Sequence, residues 1–555
     1  VPDPGLVHAA SRRLRFDGRE TVVAGDESLF DAAERLGIRV PTSCNKQGKC
    51  RECMVEIETG GEALTERAPQ EEHLPARFRL SCRTRFAAPG LVAVHTLRRG
   101  TLRIEEDAQG LDGQGPGGQL ELDPRYRRAG DQLLRDGLPV GSIAGPPRGV
   151  AVDLGTTTVV LRLIDLESGA PLATQSFENP QRFGGSDIMA RIRYDSDHPG
   201  RLLQRVLLGY LGRALEAFPG DPRTIVELVI AGNTTMRDLL FGLDVYPIGQ
   251  LPYRSQTEHD LAAGLRTTTS LETPARRLRL PVHPAATVYG LPLVSSHVGA
   301  DAAACLLATG LAESDSVSVC MDIGTNTEVF IGNRERILAA SCPAGPAFEG
   351  GGVRCGMPGL DGAIERVRLS AEGAAEIRVI GDGPPLGICG SGLVDLLSEL
   401  RRTGRLNAQG RFVDDDEDSF TVAAAQGIVF TEPDINELAQ AKGANAAGLC
   451  ILAAAYGIEL GNVGRFYLAG GFGRHLDTAA ARRIGLIPDL PAERIVQVGN
   501  ACLAGAVRAL LSCRARQRLE QIVRRVEHVG LESHPAFFDY FVDGCQFVPL
   551  AGSDS

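Results

Sequence analysis

With 555 residues, 43% hydrophobic content and a formal net charge of −11, the chain is long enough for two to four cored domains and too acidic to suggest a nucleic-acid partner. No apolar run reaches the roughly 18 residues of a membrane span, and Val1-Pro2-Asp3-Pro4-Gly5 lacks the apolar stretch of a signal peptide. Thirteen cysteines, an odd count with no secretory sign, point to a reducing cytoplasm.

The first elements read as a hairpin, Leu14-Arg15-Phe16 and Thr21-Val22-Val23 around an Asp17-Gly18 turn. A short helix follows, capped by Asp26 or Ser28, apolar at Leu29, Ala32, Ala33 and Leu36, and ended by Gly37. Cys44, Cys50 and Cys53 then come in the spacing C-x5-C-x2-C, and Cys82 follows after 28 intervening residues. Three thiolates on a glycine-containing loop and a fourth from a distant segment suit a 2Fe–2S cluster. A four-cysteine zinc site is the rival, but zinc ligands generally come as two close pairs. Hairpin, helix, cysteine loop and late cysteine together resemble the β-grasp ferredoxins. Five residues between the first two cysteines are closer to the vertebrate-type and putidaredoxin-like members than to the plant type.

From Thr96 to Pro147 the composition changes, and 107–118 is too rich in glycine and too poor in apolar residues to pack. This reads as a linker that lets the first domain move, or as a passive spacer. Val150 to Ile164 then reads as strand, turn, strand, with Asp153, Gly155, Thr156, Thr157 and Thr158 at the turn. Backbone N–H groups and threonine hydroxyls there suit phosphate oxygens, and Asp153 suits the accompanying Mg²⁺, usually through water. The pattern recurs 169 positions later as Asp322-Ile323-Gly324-Thr325-Asn326-Thr327-Glu328, which implies two similar lobes across a cleft. Between them, Ala231-Gly232-Asn233-Thr234-Thr235 leads a strand into a polar helix start, and Asp301 opens an alanine-rich helix. Asp301 is read either as a helix cap or as a cleft residue that orients water at the γ-phosphate. His297 suits packing or the surface better than ligation.

Two glycine-dense segments follow, Cys342 to Gly352 and Gly387 to Leu396. The second, with Gly390, begins a helix whose N-terminus suits a phosphate, and either segment suits packed hinge backbone equally well. Phe466 to Gly473 is a strand ending in Gly470, Gly471 and Phe472, where glycine lets backbone approach a flat ligand. Cys305, Cys320, Cys450 and Cys502 lie in apolar or alanine-rich surroundings and read as buried thiols. Beyond about Arg514 the chain is basic and amphipathic with a Phe-rich end.

Two phosphate turns and a glycine turn in this order resemble the actin, sugar-kinase and heat-shock-chaperone ATPases. The fold class implied is α/β with α+β: a β-grasp 2Fe–2S domain (10–95), a linker (96–147), two ATPase lobes (148–295 and 296–513) and a tail (514–555). The full order of DLGTTT, AGNTTM, DIGTNTE, CPAGPAFEGGG, GICGSGLVDLL and LAGGFG behind a ferredoxin loop resembles the reductive activators of corrinoid-dependent proteins. That resemblance implies ATP, Mg²⁺ and a 2Fe–2S cluster as cofactors, with Asp153, Asp322 and Asp301 as catalytic residues. Its implied partners are a low-potential electron donor and a corrinoid protein or cobalamin-dependent methyltransferase whose cob(II) is returned to cob(I). No nucleic acid and no membrane are expected, and a homodimer is left open. Plant-type clusters sit near about −400 mV, and each ~59 mV uphill costs a factor of ten. ATP would therefore act by favouring a partner conformation whose cobalt is easier to reduce. Alternatives are an activator of a radical dehydratase or reductase, and a kinase or chaperone-like module with an accessory cluster.

Overall fold

A computed structural model describes residues 11–42, 44, 46–97, 120–324, 326–370, 373–414, 416–471, 473 and 475–550. The first hairpin is β1 (Arg12–Phe16) and β2 (Arg19–Val22), joined by Asp17 and Gly18 at φ 45° and 77°. A two-residue turn with positive φ matches the twist of its strands. Ser28 caps α1 (Leu29–Arg35) in a reciprocal box with Asp31, and Leu29, Phe30, Ala32 and Ala33 turn inward. After the cysteine loop come β3 (Met54–Thr59), β4 (Phe78–Leu80) and β5 (Gly90–Thr96). The sheet order is β2-β1-β5-β3-β4, with β1 and β5 parallel, and one helix lies across it in the β-grasp manner.

The expected linker divides in two. Its glycine-rich part, 107–118, lies outside the described residues. Further on, β6 (Tyr126–Ala129), β7 (Gln132–Arg135) and β8 (Leu138–Ser142) form an antiparallel sheet. Only Tyr126 and Leu133 of its strands are buried, so a folded element carries the composition of a spacer.

The first lobe contains β9 (Arg148–Leu154), β10 (Thr158–Asp165), β11 (Pro171–Glu178), α2 (Ile188–Asp197), α3 (Leu202–Glu216), β12 (Ile225–Gly232), α4 (Thr234–Phe241), α5 (Gln256–Ala262), β13 (Leu271–Pro274), β14 (Thr287–Gly290) and α6 (Ala300–Thr309). The second contains β15 (Ser318–Ile323), β16 (Thr327–Gly332), β17 (Ile337–Cys342), β18 (Ala363–Leu369), β19 (Ala375–Val379), β20 (Gly387–Ile388), α7 (Gly390–Arg402), β21 (Ser419–Ala423), β22 (Ile428–Thr431), α8 (Glu432–Tyr456), β23 (Arg465–Ala469), α9 (Thr478–Arg483), β24 (Ile495–Gly499) and α10 (Ala501–Leu511). The sequence repeat is a repeat of topology. The run β11-β10-β9-β12-β14 corresponds to β17-β16-β15-β23-β24, each an antiparallel meander continued by two parallel strands. Each half then ends in an alanine-rich helix. These two helices, α6 and α10, cross so closely that a Cβ on Gly505 would lie 2.0 Å from the Ala304 carbonyl oxygen.

The residues that read as a tail are built into the fold. In α11 (Cys513–Val523), Arg516 donates to both oxygens of Glu227 on β12, at 2.9 and 2.8 Å. β25 (Val526–His528) joins the second lobe's sheet beside β17, and α12 (Phe537–Gly544) packs on α8. Buried Lys442 of α8 donates to the carbonyls of Gly544 and Gln546 at 2.6 and 2.5 Å. Among the described residues no helix is long and apolar enough to cross a membrane.

Glu227 is fully buried and Arg516 nearly so. Truncating one member of such a pair strands the other charge, at about 3–5 kcal/mol. Arg516→Ala is therefore expected to lower the thermal midpoint sharply, whereas Arg514→Ala, at an exposed pair with Glu121, should barely move it. Equal midpoints for the two variants in a calorimetric scan would mean that α11 does not strap the first lobe.

Candidate functional site

β9 and β15 deliver Asp153 and Asp322 from the two lobes to one cleft. Asp153 accepts from Asn500 Nδ2 (2.7 Å) at the start of α10 and from the Cys502 thiol (3.1 Å). Asp322 accepts from the Cys305 thiol of α6 (3.1 Å). Each of the crossed helices thus reaches the other lobe's aspartate with a thiol. Burial raises Asp153 above the ordinary carboxylate range, against the Asn500 and Cys502 bonds. Burial pushes Asp322 up to about 6, with Asp153 and Glu349 adding to it and the Cys305 bond opposing.

Asp301 lies in the first turn of α6, whose N-cap is Gly299. It accepts from the Ala302 amide (2.8 Å), and burial followed by the Asp322 and Asp153 charges raises it to about 7. Glu328 on β16 is buried, takes a hydrogen bond from Ser341 Oγ (3.2 Å), and is raised well above its usual value by burial and by Asp301 and Asp322. Several carboxylates that hold one another's protons on suit a divalent cation, whose charge reverses that tendency. Among the described residues no three acidic, histidine or cysteine side chains converge closely enough to hold a metal by themselves. This donor set fits Mg²⁺ carried by water and phosphate oxygens rather than a protein cage.

The other expected residues fall around these turns. A Cβ on Gly155 would lie 2.7 Å from the Thr158 carbonyl oxygen, so the tight turn requires glycine. Asn233 caps α4 and donates to Thr156 Oγ1 (2.9 Å), tying β12 to the first turn. Thr158 opens β10, Thr327 opens β16, and Gly324 and Asn326 lie in the second turn. Gly470 has φ 95°, and a Cβ there would meet the Ile323 carbonyl at 2.5 Å and Asp322 Oδ1 at 3.0 Å. The glycine turn therefore closes directly onto the second phosphate turn, while Gly471 faces open space. Gly390 begins α7, which packs on β18 and on the 347–349 turn. Thr325 and Phe472 lie outside the described residues.

Sequence reasoning passed over Glu349, which accepts from Thr157 Oγ1 (3.3 Å) across the cleft and lies beside Gly324 of the second turn. It also passed over Cys305, Cys502, Asn500 and Asn179 as parts of the site. No spacing marks these residues; Glu349 sat inside a segment already notable for glycine, the one signal available.

The cysteine loop presents two thiol pairs. Cys53 and Cys82 have sulfurs 3.2 Å apart, and the Cys44 and Cys50 side chains are hydrogen-bonded to each other. Burial raises Cys44, yet the amides of Cys50, Lys49 and Gln47 with the Cys50 thiol bring it down to about 7. Cys82 is lowered by its Cys53 bond, against burial, with help from the Gly48 amide. Amides aimed at sulfur stabilise thiolates, as cluster ligands require. Two pairs match two irons better than one tetrahedral zinc, which needs four sulfurs around a single point.

Comparison with known proteins gives the family. Family models match residues 14–87 (2Fe-2S iron-sulfur cluster binding domain), 148–314 (RACo middle region) and 316–552 (C-terminal domain of RACo, the ASKHA domain). The corrinoid activation enzyme RamQ of Eubacterium limosum is 30% identical over 448 residues, 76% of this chain and 73% of that protein. The chain belongs to the reductive activators of corrinoid proteins. Another relative, the [Co(II) methylated amine-specific corrinoid protein] reductase of Methanosarcina barkeri, is 25% identical, covering 71% of this chain and 76% of its own. A solved reductive activator for corrinoid, iron-sulfur protein superposes with a TM-score of 0.68 at 29% identity, over 97% of this chain and 98% of that one. The activator is thus an ATP-dependent redox enzyme with a ferredoxin-type domain ahead of its ATPase lobes.

The raised carboxylates make the nucleotide-free activator sensitive to pH. Between their ordinary value of 3.8 and the about 6 and 7 of Asp322 and Asp301, the folded chain binds protons that the unfolded chain has lost. Stability contributed by these groups is therefore present at low pH and falls as pH rises through that window. Asp301→Asn should flatten the fall in thermal midpoint of the nucleotide-free protein between the group's ordinary value of 3.8 and about 7, the window in which only the folded chain keeps that proton. A profile as steep as the parent's would remove Asp301 from the carboxylate cluster.

Proposed function

We propose that this chain passes one electron from a 2Fe–2S cluster, held by Cys44, Cys50, Cys53 and Cys82, to the cob(II) corrinoid of a partner protein, with ATP bound between the lobes. A cluster of this kind, when bound, takes up and gives away single electrons. The amides of Gln47, Lys49 and Cys50 favour the charged form of Cys44, and that of Gly48 favours the charged form of Cys82. Asp153 and Asp322 face the metal-bound phosphates of ATP, Gly155 to Thr158 and Gly324 to Thr327 supply donors, and Asn233 and Gly470 fix the turns. Asp301 and Glu349 are placed to orient water at the γ-phosphate. The observation that carries the reading is the joining in one chain of two paired-thiol sites to a pair of facing phosphate turns. A kinase would hold a small acceptor there, and nothing in the donor set favours one over water.

Two measurements test this. Cys82→Ala should lose the two-iron visible spectrum and all cobalt reduction while still hydrolysing ATP; an unchanged spectrum would dismiss the ligand assignment. Asp153→Asn and Asp322→Asn should each slow ATP hydrolysis about 10²-fold or more, as loss of a positioned carboxylate does, with the fold retained. Cobalt reduction is read as the cob(II)-to-cob(I) absorbance change under anaerobic reductant, and it should require ATP. A phosphorylated small molecule in place of ADP and phosphate would make the chain a kinase.

A further inference from the structure

The β-grasp domain shares an apolar core with the first lobe, and polar contacts beside it gather around the cysteine loop. Arg205 of α3 donates from Nη2 to the Cys50 carbonyl (3.0 Å) and brings Nη1 to 3.6 Å from Glu52. Arg182, in the turn Pro180–Gly184, sets Nη2 2.5 Å from Glu56 Oε2 on β3, the strand that begins next to Cys53. Tyr210 Oη accepts from the Leu97 amide (3.0 Å), and the His73 and His198 rings stand 5.8 Å apart.

The turn that carries Arg182 starts at the first phosphate turn. Asn179 donates from Nδ2 to the Gly155 carbonyl (2.8 Å) and from its amide to the Thr157 carbonyl (2.7 Å). Both Glu178 oxygens hold Arg182 Nη1, at 2.8 and 2.9 Å, so the guanidinium is fixed with respect to Asn179. One short segment therefore touches the ATP turn at one end and the cluster domain at the other.

We propose that residues 178–182 link the nucleotide in the first phosphate turn to the seating of the cluster domain, with Arg182 as the positioning residue. The proposal rests on the cluster and ATP sites assigned above. A nucleotide that shifts the Gly155 to Thr157 backbone shifts the two carbonyls on which Asn179 hangs, and with them the Arg182 guanidinium. The Arg182–Glu56 contact is almost dry, with 11% and 4% of the side chains exposed, so a small displacement of one charge is costly. Arg205 carries the outcome to the cluster. In the seat it lays positive charge against the backbone of a ligand cysteine, which favours the reduced and more negative form; a domain out of its seat loses that charge. Spatial continuity alone is only a route. The linkage has a measurable consequence, because a nucleotide that changes the cluster's midpoint must bind oxidised and reduced protein with different affinities.

The test uses the full chain with its cluster loaded, and ADP or a non-hydrolysable ATP analogue at saturation. Midpoints are read by visible spectroscopy in an anaerobic redox titration. Iron content and calorimetric nucleotide binding are measured on the same samples, so a failure of either site assignment is seen separately. Arg205→Gln, at a partly exposed side chain, should lower the midpoint by about a tenfold change in the reduced-to-oxidised ratio, ~59 mV for one electron. In the parent protein the two nucleotides should give midpoints differing by about threefold or more in that ratio. The double variant Arg182→Gln/Glu56→Gln leaves neither charge of that pair stranded and should bind both nucleotides at a single midpoint. If the double variant does not retain its cluster, Asn179→Ala cuts the segment at its other end and should show the same single midpoint. An Arg205→Gln midpoint equal to the parent's, a parent midpoint indifferent to nucleotide, or full nucleotide dependence in the cut segment would each overturn the proposal.

Discussion

Two like charges brought together in a dry cleft are the constraint on which this structure turns. Asp153 and Asp322 end equivalent strands of two lobes, and burial raises both above the ordinary carboxylate range, with the Asp153 charge adding to the rise at Asp322. Such an arrangement is unfavourable unless something offsets it. Part of the offset is internal: Asn500, Cys502 and Cys305 each donate to one of the two carboxylates. Thiols are weak donors, so they orient the aspartates without neutralising them. What remains is a concentrated demand for positive charge, which a metal–nucleotide complex meets and an apolar ligand does not. The lobes can approach this closely only because α6 and α10 cross at Gly505, where any side chain would strike the Ala304 backbone.

Much of this was legible in the sequence because it is written in backbone constraints. Gly155 and Gly470 stand where a Cβ would collide with a carbonyl, so the first turn and the glycine turn tolerate little else. The cysteine spacing is equally rigid, since four sulfurs must reach one cluster. The Asp17-Gly18 turn and the Ser28 cap are local chemistry and read directly. What was not legible depends on partners far away in the chain. Glu349 owes its place to Thr157, almost two hundred residues earlier. Arg516 looks like one residue of a basic surface helix until Glu227 is seen beneath it. The β6–β8 sheet escaped for a different reason: its strands contribute two large buried side chains to a core that other elements mostly fill, so its own composition stays polar.

The interfaces in the chain fall into two kinds, and the difference bears on function. Between the lobes, small residues of α6 and α10 pack with backbone nearly in contact, and α11 then straps the first lobe through a buried ion pair. Such a joint hinges but does not come apart. The seat of the cluster domain combines apolar packing that runs from the β-grasp core into the first lobe with arginines, glutamates, histidines and a tyrosine hydroxyl meeting across it.

That contrast fits what an electron carrier must do. A cluster that gives an electron to the corrinoid of another protein, as proposed above, has to come close to it. A domain without a seat would carry its electron in the same condition whether or not ATP was bound. In the linkage proposed above, Arg205 alters the surroundings of the cysteine loop only while the domain is docked, and Arg182 ties docking to the turn assigned to phosphate. The chemical requirement for charge in the cleft and the physical requirement for a releasable cluster therefore meet in the few residues from Glu178 to Arg182.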